Sequence, residues 1–194
     1  SDHFVADGAA FRACVRGAAQ VVADLPGKIG LLGIRPEEPS SEYGYVLPAS
    51  PLHASASLPV FRVAAFAEKP ARPLARAIVR EGALWNSFVM VFHASRMLEL
   101  LARVRPEEHD AMRAVACDAA ALERLYESAE PWNFSTGFLS RVAPELLVLQ
   151  ADGLGWSDWG TRRSIERTLA AMNVAPPWLV ERARAPRTAR RAVA

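Results

Sequence analysis

The sequence predicts an α/β fold, a mixed sheet flanked by helices, and three observations carry that prediction. Short apolar runs of strand length alternate with stretches whose apolar residues recur every three or four positions. Proline and glycine punctuate the junctions, as at Pro26-Gly27 and Gly82. Several connections do not read as simple crossovers between parallel strands, which adds inserted hairpins to the sheet. With 194 residues, 51% hydrophobic and 23% charged, the chain has the size and composition of one domain with a single buried core.

Taken in order, Asp7 caps a helix whose apolar positions are Phe11, Cys14, Val15, Ala18, Val22 and Leu25. Residues 29–34 form a short apolar strand. Residues 35–41, with two prolines and two serines, form a loop leading into Tyr43-Gly44-Tyr45-Val46. Residues 47–59 carry few structure signals and read as a flexible excursion. Residues 60–66 read as a strand with Val60, Phe61, Val63 and Phe66 as its larger side chains. Residues 73–80 read as a helix and 85–92 as a second strand rich in aromatic and branched residues. Ser95 is the expected cap of an amphipathic helix through Met97, Leu98, Leu101 and Val104. Residues 106–130 read as helical with polar interruptions, 146–149 as a buried strand and 161–172 as a last helix.

No apolar run approaches the ~20 residues that a membrane-spanning helix needs. No membrane partner is expected, and cytoplasm is the default location. The two cysteines, Cys14 and Cys117, each sit in a helix-like apolar pattern and read as reduced core thiols. His3, His53, His93 and His109 are too scattered for a zinc cluster. The formal charge of +2 is concentrated in residues 180–194, where Arg182, Arg184, Arg187, Arg190 and Arg191 face only Glu181. That segment reads as a solvated basic tail, and no nucleic-acid partner is expected.

Chemistry concentrates in short segments. Phe66-Ala67-Glu68-Lys69-Pro70 ends a strand, and Leu84-Trp85-Asn86-Ser87 begins another sixteen residues on. Lys69 is one of two lysines in a chain with 21 arginines. Its compact ammonium acts as a point charge toward phosphate, which a forked guanidinium does not reproduce. Glu68 either accepts hydrogen bonds from hydroxyls or pairs with Lys69 at the surface. Asn86 both donates and accepts. Trp85 either walls a pocket or packs in the core. Gly155-Trp156-Ser157-Asp158-Trp159-Gly160-Thr161 precedes the last helix. There Asp158 reads as a metal ligand or as part of a capping turn, for which Ser157 and Thr161 also qualify.

These segments, together with Ser1-Asp2-His3-Phe4-Val5 at the start and Tyr43-Gly44-Tyr45, resemble the sugar-1-phosphate nucleotidylyltransferases. The mannose-1-phosphate guanylyltransferases are the nearest in pattern. The resemblance covers about residues 1–172. It implies a Rossmann-like, GT-A-like mixed sheet lacking its first strands, with 1–179 as the sugar-binding part of a catalytic domain and 180–194 as a flexible tail. It also implies a sugar 1-phosphate and a nucleoside triphosphate as substrates and Mg²⁺ as cofactor. Asp2 and Asp158 would hold the metal; with Lys69 they form the catalytic set. Gly44, Glu68, Lys69, Asn86 and Asn133 would bind the sugar phosphate, with capping of the following helix as the other role open to Asn133.

The sequence departs from the family pattern in two places. Phe88 stands where the family has the glycine of Trp-Asn-Ser-Gly, and the family's Gly-Gly-x-Gly-(Ser/Thr)-Arg-x-x-Pro phosphate loop does not occur in these residues. A non-catalytic module that binds a sugar phosphate or a partner chain is therefore the alternative reading. Without leading strands, an exposed sheet edge and association into oligomers are expected.

Overall fold

The computed structural model describes residues 2–53 and 57–178, so the basic segment 180–194 and Ser1 lie outside the described residues. In chain order the elements are β1 (His3–Val5), α1 (Gly8–Asp24), β2 (Ile29–Ile34), β3 (Tyr45–Leu52), β4 (Val60–Ala67), α2 (Arg72–Arg80) and β5 (Leu84–Val91). They continue with α3 (Ala94–Val104), α4 (Pro106–Val115), α5 (Ala119–Ser128), α6 (Phe134–Gly137), a 3-10 stretch (Leu139–Glu145), β6 (Leu146–Gln150), β7 (Trp156–Asp158) and α7 (Arg162–Ala171). They fall into two compact units, residues 2–6 with 155–178, and residues 7–154.

In the larger unit Asp7 starts α1 as expected, its Oδ1 accepting from the amides of Ala9 and Ala10 at 2.9 Å. The helix buries Cys14, Ala18, Val21 and Val22 and packs on β2, whose six residues are all buried. The sheet is mixed. β2 pairs antiparallel with β5 and parallel with β6, while β3–β4, β3–β5 and β4–β6 are antiparallel. The five strands close in the order β2-β5-β3-β4-β6. Among the described residues β6 covers the side of β2 away from β5, so the open edge expected for this sheet does not lie at β2. Ile29, Leu31, Val46, Val63, Leu84 and Val148 fill the core with Leu100 from α3 and Phe138, Leu139 and Val142. Each such side chain contributes roughly 1.5–3 kcal/mol on burial.

Four local expectations are corrected. Residues 45–52 form a strand despite Pro48 and Pro51. Only Tyr45 and Val46 pair with β5, so the later residues have a partner on one side alone, and the register slips around both prolines. One-sided pairing is where a strand accommodates a missing N–H. Ser95 lies inside α3, whose N-cap residue is His93 without a side-chain bond. The helical stretch 106–130 breaks at Ala116 and Cys117, and Asp118 restarts it by accepting from the Ala121 amide at 3.0 Å. Cys117 is therefore exposed in a turn and is not a core thiol. Among the described residues no helix is long and apolar enough to cross a membrane.

The smaller unit pairs β1 with β7 in antiparallel register, His3 opposite Asp158 and Val5 opposite Trp156. Phe4 stacks flat on Trp159, with ring centres 5.0 Å apart. Thr161 caps α7 through the Ser164 amide at 3.2 Å.

Candidate functional site

Strand register assembles the first group of site residues. Tyr45 lies opposite Ala67 of β4 on one side and Trp85 of β5 on the other. One step back along β3, Gly44 therefore falls between Glu68 and Asn86, three residues spread over more than forty positions of chain. The Gly44 carbonyl accepts the Asn86 N–H at 2.8 Å. A Cβ at Gly44 would sit 2.6 Å from Glu68 Oε2, so only glycine lets this carboxylate lie against the turn.

Lys69 follows immediately, exposed and with a left-handed φ of +43°, and it makes no ion pair among the described residues. The surface pair with Glu68 is thus not formed. Backbone strain of this kind is retained where surrounding structure imposes it, and such positions cluster at ligand sites. Trp85 is 2% exposed and meets Tyr43 edge-on at 4.6 Å, which makes it a core residue. Asn133 caps α6, its Oδ1 accepting from the Thr136 amide at 2.9 Å. Of its two open roles the cap is formed, and its amide nitrogen is not used by that bond.

The second group lies in the smaller unit. Asp158 ends β7 instead of sitting within a free turn, and its Oδ1 accepts the Gly160 N–H at 2.6 Å. The capping of α7 falls to Thr161. The Asp2 carbonyl accepts the Trp159 N–H at 2.7 Å, which holds the two aspartates across the β1–β7 ribbon. A Cβ at Gly160 would lie 2.9 Å from Asp158 Oδ1 and 3.2 Å from Asp2 Oδ2. Two carboxylate oxygens therefore converge on the space that glycine leaves. Mg²⁺ binds through one or two carboxylates while keeping water and phosphate ligands, so this donor set fits it. No group of three or more His, Cys, Asp or Glu suited to a metal occurs among the described residues. Sequence reasoning does not single out Gly160, although the Asp158-x-Gly160 spacing was the available signal.

Charge elsewhere serves the scaffold. Burial would raise the pKa of Glu145, but Lys28 and Arg96 outweigh it and hold the carboxyl below its ordinary range. Lys28 Nζ also donates to the Pro144 carbonyl at 2.8 Å. Asp152 is held low by hydrogen bonds from Arg35. An apolar groove lined by Leu101, Met112, Leu125, Tyr126 and Trp132 contains none of the sequence-derived site residues.

Comparison with known proteins places this geometry in context. The sequence profile of the family described as Nucleotidyl transferase matches residues 1–173. The mannose-1-phosphate guanylyltransferase of Escherichia coli K12 is 34% identical over 173 residues, 85% of this chain and 35% of its own length. The xanthan biosynthesis protein XanB of Xanthomonas campestris pv. campestris B100 is 30% identical, with the same shares covered. The chain thus spans about a third of the length of these curated relatives. Among solved structures, mannose-1-phosphate geranyltransferase from Thermus thermophilus matches with a TM-score of 0.74 at 30% identity, over 87% of this chain and 48% of that one. Mannose-6-phosphate isomerase from Helicobacter pylori, at 20% identity and a TM-score of 0.66 over 81% of this chain and 62% of that one, shares the fold. The expected Rossmann-like α/β class is the one these structures share with it. A profile match that runs from the first strand through the last helix, with relatives aligned over most of the chain, shows that this chain belongs to the nucleotidyl transferase family.

Proposed function

We propose that the protein acts in nucleotidyl transfer from a nucleoside triphosphate, GTP, to a sugar 1-phosphate, mannose 1-phosphate. A phosphate oxygen of the sugar phosphate attacks the α-phosphorus of GTP. A new P–O bond forms, the α–β bridging bond breaks, and GDP-mannose and pyrophosphate result. Both substrates are anionic, so the residues must chiefly orient them and offset charge.

The observation that carries this reading is the row Gly44, Glu68 and Asn86, which lays an acceptor and an amide side by side at an accessible strand end. Glu68 accepts from sugar hydroxyls, Asn86 donates to them, and Asn133 offers a further amide nitrogen. Lys69 presents its ammonium to the phosphate. Asp2 and Asp158 are the residues that would hold Mg²⁺. When bound, the ion offsets negative charge on the phosphates. A cytoplasmic location belongs to the same reading, since doubly charged sugar phosphates and nucleotides do not cross a bilayer unaided.

Calorimetric titration with mannose 1-phosphate, with and without Mg²⁺ and with glucose 1-phosphate as comparator, tests the sugar half. Pyrophosphate release in the presence of GTP tests turnover. Saturable, Mg²⁺-sensitive binding is expected. Binding without pyrophosphate release would favour the alternative, a module that binds a sugar phosphate without turnover. No heat from folded protein would overturn the assignment.

A further inference from the structure

We infer that Phe88 is a substrate-contacting residue, an aromatic wall beside Asn86 against which the apolar face of the hexose 1-phosphate lies. The inference rests on the sugar-phosphate reading above and adds a residue which that reading does not use.

The backbone of Phe88 sits at φ +60°, in the left-handed region that a bulky side chain enters only at a cost. The surrounding bonds hold it there. Asn86 Oδ1 accepts the Phe88 N–H at 3.1 Å, and Ser87 Oγ accepts the Val89 N–H at 3.2 Å while donating to the buried Leu32 carbonyl at 2.6 Å. Yet the residue is 46% exposed, so the strained backbone does not serve to bury it. A phenylalanine retained for packing would be buried on relaxed backbone; this one is neither.

The position of the ring points to what it does. It tilts at 60° against Phe134, with centres 5.9 Å apart, and Phe134 is the first residue of α6, the helix that Asn133 caps. The ring thus reaches from the Asn86 turn to the Asn133 cap. Polar groups that bind hydroxyl edges and an apolar face beside them make the usual composition of a small-molecule site. A hexose has both surfaces, hydroxyls at its rim and a face of C–H groups complementary to an aromatic π-surface.

The test uses the whole chain and mannose 1-phosphate as the probe. Calorimetric affinity and thermal unfolding are measured for wild type, Phe88→Gly and Phe88→Tyr. Glycine accepts positive φ freely, so Phe88→Gly should keep or raise Tm while weakening binding by about fivefold. Phe88→Tyr should bind within about twofold of wild type, because its ring presents the same face. Undiminished binding in Phe88→Gly would overturn the inference, as would weaker binding accompanied by a fall in Tm, which would make the ring a packing element. An equal loss in Phe88→Tyr would also overturn it. Absence of mannose 1-phosphate binding in the wild type would instead remove the sugar-phosphate reading itself, and this inference with it.

Discussion

Gly44 and Gly160 each leave a space that carboxylate oxygen fills, but the two spaces differ in charge. At Gly44 a single oxygen, Glu68 Oε2, approaches the missing Cβ, and the Asn86 amide stands alongside. At Gly160 two oxygens, Asp158 Oδ1 at the end of β7 and Asp2 Oδ2 just before β1, approach the same point. One negative group with an amide suits neutral hydroxyls, which need an acceptor and a donor. Two negative groups, with one backbone N–H between them among the described residues, would suit a dication, as the proposed Mg²⁺ role requires. The same steric device, an omitted side chain, thus gives two differently charged surroundings according to how many carboxylates lie beside it.

The largest expected effect comes from reducing the doubly charged site to one charge. Asp158→Asn should weaken Mg²⁺ binding by about tenfold to a hundredfold in calorimetry. An unchanged affinity would place the metal elsewhere and dissolve the contrast. Next, Gly44→Ala pushes a methyl into Glu68. Because the clash is with the end of a flexible side chain, Tm should move little, while mannose 1-phosphate binding falls by about tenfold. A large drop in Tm with unchanged binding would make Gly44 a folding residue only.

A third carboxylate calibrates both. Glu145 is surrounded by Lys28, Arg96 and Arg103, so it serves the scaffold. Its native pKa is depressed, and the stability it contributes is complete above the ordinary glutamate range and drains away as pH falls through the lowered value. Glu145→Gln should cost about 1 kcal/mol near neutrality and flatten that acid limb in thermal melts. Destabilisation confined to low pH would refute the sign. The smallest effect belongs to Glu68→Gln, which keeps an acceptor for hydroxyls and should change mannose 1-phosphate affinity by about threefold or less. A loss as large as that of Asp158→Asn would show that charge matters equally at both sites.

Much of the scaffold is legible in the sequence because its signals are local. Asp7 with the three-to-four spacing through Val22 specifies α1, and the uninterrupted apolar run 29–34 specifies β2. Residues 45–52 are not legible, since Pro48 and Pro51 argue against a strand unless one knows that β5 stops pairing after Val46. The ribbon of β1 and β7 escapes notice because three-residue strands have too few positions to show alternation. For the candidate sites, the sequence offers the residues but not their juxtaposition. Gly44, Glu68 and Asn86 belong to three segments with no sequence periodicity between them; only strand register makes them neighbours. The backbone of Phe88 was foreshadowed by its replacement of a family glycine, but the exposure of its ring depends on where α6 lies.

The parallel pairing of β2 with β6 bears on how the chain acquires its fold. Ile29 meets Leu146 directly, at the same separation of 117 residues as the adjacent contact of Lys28 with Glu145. A pairing so remote in sequence is entropically slow to form, and it cannot form at all until β6 has left the ribosome. At ordinary elongation speeds that interval is on the order of ten seconds. Throughout it the strand from Ile29 to Ile34 carries an unpaired side that the finished ring conceals. The nascent chain, and not the folded protein, is where association through that strand is to be sought.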